Sequence, residues 1–187
     1  MSHAIGIRLR SVTCADSPTA SRFFGSPKIP LEWMLNELYE SDLFFCQLQL
    51  ADLAPYDPDG ALPHTGYLYV FLQMREHAAP DVRVMYCDGK PDYIAIDFNA
   101  EVEGFEHLTK PLIAEFFTVD PDAPCTRLLG TPTVWEDVCE PPRLLLQFDP
   151  RELGFKVLPD PNSYLCLFFD PEGKGWDRAT ARIISKQ

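Results

Sequence analysis

Apolar and polar positions alternate with a period of two in several short stretches, which is the pattern of strands buried on one face. In FFCQLQLADL (44–53), Phe44, Cys46, Leu48 and Leu50 fall on one side, and Phe45, Gln47 and Gln49 on the other. In LLLQFDPREL (144–153), Leu144, Leu146 and Phe148 share a side opposite Leu145, Gln147 and Asp149. Each strand is therefore expected to be apolar on one face and mixed on the other. GYLYVFLQ (66–73) and SYLCLFFD (163–170) are apolar on both faces, as central, covered strands are.

These stretches form an internal repeat. The first strands align at an offset of 100, placing Gln47 opposite Gln147, and the second strands at an offset of 97. A strand, a turn carrying Asp and Pro, and a second strand make a β-β unit that is expected to recur about a pseudo-twofold axis. The chain reads as a single domain over 1–187, with repeat 1 at about 44–86, a connector at about 87–141 and repeat 2 at about 142–187. Further strands are predicted at Ile5, Ile7 and Leu9, around Val84, at Ile94, Ile96 and Phe98, and around Ile183 and Ile184. One helix is predicted to open at Pro30 and to carry Leu31, Met34, Leu35 and Leu38 on one stripe. Residues 111–117 suit either a second short helix or a strand, and 105–141 otherwise predict an irregular connector.

Composition limits the fold further. Eighteen prolines stand against ten glycines in 187 residues, and Pro is excluded from helix interiors, so long helices are not expected. The prediction is a mainly β (β-rich α+β) domain, a roll-like β core built from two duplicated β-β units with one or two short helices. Sixteen Lys and Arg against 28 Asp and Glu leave a net charge of −12. That balance argues against a nucleic-acid groove and against a polybasic membrane anchor, and leaves a basic protein as the partner class it suits. The opening MSHAIGIRLRSVTC has no apolar core behind a basic start, so a soluble, cytoplasmic protein is expected. Six dispersed cysteines with no C-x-x-C pair predict reduced thiols, with Cys46 and Cys166 as core residues.

The ordered series FFGSPKIP (23–30), FFCQLQLADL, LP-x-x-GYLYVF, RVMY (83–86), LLGTP (128–132), LLLQFD and the closing YLCLFFDPEGKGWDRATARIISKQ resembles the YwqG-like family of bacterial proteins of unknown function. The pieces cover most of the chain in the family's order. The resemblance implies a β-rich, roll-like α+β fold with a duplicated core in soluble bacterial proteins, and no established reaction, cofactor or catalytic set. The chain departs from the family pattern at Gly25 and Ser26, where relatives tend to carry Gly-Gly. It also departs at Thr131 and Glu136, where they tend to carry an aromatic residue and a Gln.

Reactive signatures are missing. There is no G-x-S-x-G, no GxGxxG and no Walker pattern, and His3, His64, His77 and His107 show no metal-ligand spacing. DPDG at 57–60 lacks the acidic ligands of a calcium loop and reads as a turn. Asp149, Asp170 and Glu172 read as solvated charges in an acidic chain, and Trp33, Trp135 and Trp176 as packing residues. No catalytic residue, metal or cofactor is assigned. The candidate ligand-binding residues are Gln47 and Gln147, matched amides on duplicated strands; His64, in the loop joining the strands of the first repeat; and Trp135. A buried amide must be hydrogen-bonded, so the Gln pair is expected either to tie the repeats together or to face a ligand. The reading that results is a non-catalytic binding or interaction module. The alternatives are an immunity-type acidic inhibitor of a basic toxin or nuclease, and a hydrolase or transferase with a site assembled from dispersed loop residues.

Overall fold

A computed structural model describes residues 3–76, 78–135, 142–153, 160, 162–170 and 178–186. Ten strands form one antiparallel sheet: β1 (Ala4–Ser11), β2 (Arg22–Phe23), β4 (Leu43–Gln49), β5 (Tyr67–Gln73), β6 (Asp81–Cys87), β8 (Leu112–Val119), β9 (Arg127–Leu129), β10 (Leu144–Phe148), β11 (Ser163–Phe168) and β12 (Thr180–Ser185). Their order is β12-β11-β10-β9-β1-β8-β2-β4-β5-β6, and the two edge strands approach one another, so the sheet is nearly closed. A two-stranded ribbon, β3 (Lys28–Ile29) with β7 (Tyr93–Ile94), and a short helix α1 (Leu31–Asn36) lie outside it. The protein is thus mainly β.

The sheet reads the same from both ends. In the first half β2 pairs β4 with Arg22 opposite Gln47, and in the second β9 pairs β10 with Arg127 opposite Gln147. Beyond them lie β5 and β6 on one side, β11 and β12 on the other. At the centre β1 pairs β8, with Ile7 opposite Phe116 and Arg8 opposite Glu115. Each central strand then borders the far half: β1 runs beside β9, and β8 beside β2. After β4 the chain makes a helical turn at Leu50–Leu53, and after β10 a 3₁₀ turn at Pro150–Leu153.

Both first strands carry a β-bulge at the same place, between Phe44 and Cys46 and between Leu144 and Leu146. A bulge inserts one residue and reverses the alternation beyond it. Phe45 and Cys46 therefore both enter the main core, as do Leu145 and Leu146, while Phe44 and Leu144 turn to the outer face. Strict alternation had placed Phe44 with Cys46 and Leu144 with Leu146, and the bulges overturn this. Asn99, itself fully buried, mends the first bulge, because its amide accepts from the Phe44 N–H at 2.8 Å and donates to the Phe44 carbonyl at 2.9 Å.

The core joins the halves through aromatic rings. Phe45 of β4 meets Phe148 of β10 edge-on at 5.0 Å, and Phe23 of β2 stacks on Phe148 at 5.8 Å. On the outer faces lie two smaller clusters. One gathers Ile29, Phe44, Tyr69 and Phe71 beneath α1 and the ribbon, and the other gathers Leu144, Tyr164, Cys166 and Phe168 beneath Trp135.

Several expectations are corrected. The irregular connector contains two sheet strands, β8 and β9, and 111–117 falls in the strand alternative. The Ile94, Ile96, Phe98 strand stops at Ile94, because Asp97 takes a left-handed φ of 53° and leads into a 3₁₀ turn at Phe98–Glu101. The helix stripe holds only in part: Met34 and, past the helix end, Leu38 pack on the outer cluster together with Trp33, while Leu31 and Leu35 are exposed.

Candidate functional site

The hydrogen bonds around the two glutamines repeat residue for residue. Gln47 Oε1 accepts from the Lys28 N–H at 2.9 Å, and Gln147 Oε1 accepts from the Thr133 N–H at 2.9 Å. Gln47 Nε2 donates to the carbonyls of Pro18 and Ala20, both at 3.0 Å, and Gln147 Nε2 to those of Ala123 and Cys125 at 3.5 and 3.2 Å. The Ser21 hydroxyl accepts the N–H of Gln49 at 2.8 Å, and the Thr126 hydroxyl that of Asp149 at 3.0 Å. Every loop residue in the first set maps to the second at an offset of 105, so PTASRFFGSPK (18–28) stands where APCTRLLGTPT (123–133) stands. In each loop two successive residues have positive φ: Phe24 and Gly25 at 57° and 75°, Leu129 and Gly130 at 60° and 81°.

Both amides are fully buried, and both hydrogens of each Nε2 are held by groups of the same chain. The arrangement is a clasp that pins an arched loop to the sheet. The halves differ in how the far end of the loop is held. In the first, the Tyr69 hydroxyl donates to the Lys28 carbonyl at 2.5 Å, so Lys28 is held at both backbone groups. In the second, Cys166 stands across from Gln147 as Tyr69 stands across from Gln47, and the Thr133 hydroxyl takes a 2.7 Å bond from Gln147 Nε2 instead.

Beside each clasp lies a buried arginine. Arg127 is wholly buried; it donates to the carbonyls of Ala123 and Leu129 at 2.9 Å each, to the Thr131 carbonyl, and to Gln147 Oε1 at 3.4 Å. Burial lowers the affinity of both Arg127 and Arg22 for their protons. Arg127 is legible in the sequence only through the match of RFFGSP (22–27) to RLLGTP (127–132).

The other candidates lie elsewhere. His64 Nε2 sits 3.1 Å from the Asp57 carbonyl and 3.6 Å from its carboxylate, on the loop where the Asp57 side chain accepts the N–H groups of Ala61 and Leu62 at 3.0 and 2.8 Å. Trp135 packs edge-on against Phe168 at 5.7 Å with the Arg182 guanidinium 4.9 Å over its ring. Trp135 thus shares the second half's outer face with Gln147, whereas Gln47 belongs to the first half and His64 to a loop. The four form no common site.

Asp149 and Asp170 are buried, which corrects their reading as solvated charges. Asp149, 3% exposed, accepts from Arg151 Nη2 at 2.9 Å and from Lys186 Nζ at 2.6 Å. Burial raises the Asp149 carboxyl, and the bonds from Arg151 and Lys186 outweigh it and hold the group below the ordinary carboxylate range. Glu172, Trp176, His77 and Cys139 fall outside the described residues. Burial pushes the Cys46 thiol far up and the Cys166 thiol up to about 12, which makes both poor nucleophiles. Among the described residues no three His, Cys, Asp or Glu side chains are placed to hold a metal ion, and no helix is long and apolar enough to cross a membrane. Comparison of the chain with family models, curated proteins and solved structures returns no match.

Proposed function

We propose that this chain is a non-catalytic, cytosolic protein-interaction module for a basic protein partner. The observation that carries this reading is where the negative charge stands. The elements of the outer cap of the first half carry the exposed carboxylates of Glu32, Glu37, Asp92, Asp97 and Glu101, against the exposed Lys90 and the half-buried Lys28 of the ribbon. Such a field attracts a cationic surface and speeds its encounter. The internal use of the Gln47 and Gln147 amides supports the same reading, since the repeated strands then serve as scaffold. The likeness to the YwqG-like proteins is consistent with it, because that family implies no reaction. An immunity-type inhibitor, seated on a basic toxin or nuclease, is the second reading, favoured by the net charge of −12.

Affinity capture from host lysate tests this, with salt raised from about 0.1 M to about 1 M, where the screening length falls from about 10 Å to about 3 Å. Basic proteins retained at low salt and released at high salt are the expected result. Retention of acidic or neutral proteins, insensitive to salt, contradicts the proposal.

A further inference from the structure

Large hydrophobic side chains are exposed almost entirely in one place. Leu31, Leu35, Tyr39, Tyr93, Ile94 and Ile96 all belong to the cap of the first half, and Val12 is the one such residue recorded elsewhere among the described residues. The ribbon and the start of α1 adjoin. Ile29 pairs with Tyr93 and Lys28 with Ile94 across the ribbon, and the Leu31 N–H bonds the Asp92 carboxylate at 3.0 Å, tying α1 to the strand that carries Tyr93. Leu31 and Leu35 are one turn apart and lie on the same helix face. Leu35 is 73% exposed and Ile96 77%, although Trp33 and Met34 of the same helix pack inward on the outer cluster. Exposed large apolar side chains gathered on one cap and interspersed with charge mark a docking face.

Charge decides among the occupants. Two copies meeting through this face would bring one acidic rim, with Glu32, Asp92, Asp97 and Glu101, against another. An anionic lipid surface would be repelled for the same reason. A partner bearing cations around an apolar centre is attracted by the rim and buried at the middle. Strand addition is disfavoured by length, since β3 and β7 span two residues each and offer too few backbone partners. We therefore infer that the apolar cap formed by α1 and the β3–β7 ribbon binds a basic amphipathic helix of a partner protein, laid with its apolar face across Leu31, Leu35, Ile94 and Ile96 and its cations toward Glu101 and Asp97. This rests on the basic-partner reading above and adds to it the surface and the shape of the ligand.

The test uses three synthetic peptides and isothermal titration calorimetry against the full chain: a Leu/Lys helix with leucines at helical spacing, a Lys/Gln peptide of equal charge without an apolar face, and a Leu/Glu helix. The Leu/Lys helix is expected to bind, the other two to bind at least about tenfold more weakly, and Leu35→Asp with Ile96→Asp to weaken the Leu/Lys helix by about tenfold or more. Both substituted side chains are exposed, so the variants should keep the wild-type melting temperature, which is measured alongside. Equal binding of the Lys/Gln peptide, with no effect of the two substitutions, overturns the docking face and leaves the basic-partner reading standing. Failure of both cationic peptides to bind overturns both. A concentration-dependent dimer abolished by Leu35→Asp would assign the face to a second copy and also overturn the inference.

Discussion

Gln47 and Gln147 occupy matched registers in a sheet whose strand order is symmetric about β1 and β8, and each accepts a loop N–H at 2.9 Å, from Lys28 and from Thr133. Removing either amide leaves that N–H without its acceptor and takes one donor from two carbonyls, of which Ala20 and Ala123 keep a bond from the neighbouring arginine. Gln47→Leu and Gln147→Leu are each expected to cost about 1–3 kcal/mol, the penalty for stranding buried polar groups. Urea denaturation measures it, and a near-neutral effect of both would remove the clasp from the account.

The bulges make a sharper prediction about packing. Leu145 and Leu146 both face the main core, so Leu145→Ala and Leu146→Ala should each destabilise by about 2–5 kcal/mol. Strict alternation would bury them on opposite faces, against different neighbours. A Leu145→Ala change that is nearly silent beside a costly Leu146→Ala would show that the bulge is misplaced.

Much of this architecture was legible in the residues, and the part that was not has physical causes. The alternation in β4 and β10 marks strands with one mixed face, and the short unbroken apolar runs of β5 and β11 mark strands covered on both faces. A bulge leaves no mark where both neighbours are apolar, as at Phe44–Phe45 and Leu144–Leu145, so the face assignments went wrong there. Strands β2 and β9 have two and three residues, too few for a period, and Arg22 and Arg127 disguised them as loops. Helix α1 carries four apolar residues among six, spread beyond one stripe and interrupted by Glu32 and Asn36, so its orientation follows from the packing of Trp33 edge-on to Tyr69 at 5.2 Å. Asp149 looked like one of many surface charges because its partner Lys186 lies 37 positions away.

Two glycines separate strain from space. Gly130 has φ of 81°, and a Cβ there would come within 2.3 Å of the Pro121 carbonyl oxygen, whereas Gly60, with φ of 63°, has open room around it. Gly130→Ala is expected to lower stability clearly more than Gly60→Ala, which should cost about 1 kcal/mol from backbone strain alone. Thermal melts of the two variants check the order, and a reversed order would be inconsistent with the arched loop.

Acid should weaken the second half through Asp149. Its carboxyl is held below the ordinary value of 3.8 in the folded chain, so its contribution to stability is present above the unfolded value and is lost as pH falls through the folded one. Denaturant midpoints recorded from about pH 7 down to about pH 3 should fall toward acid, and Asp149→Asn should be less stable near neutrality and show a shallower fall. Parallel curves for the two proteins would mean that the bonds to Arg151 and Lys186 contribute little.

We propose that the cap of the first half is where the protein meets its partner. Hydrogen–deuterium exchange of the full chain with and without the Leu/Lys helix tests it most directly, because bound helix slows exchange of the backbone it covers. Protection is expected to be confined to residues 31–39 and 93–101, with the outer face around Trp135 and Tyr164 unchanged. Protection centred on that second face, or spread evenly over the acidic surface, would contradict it.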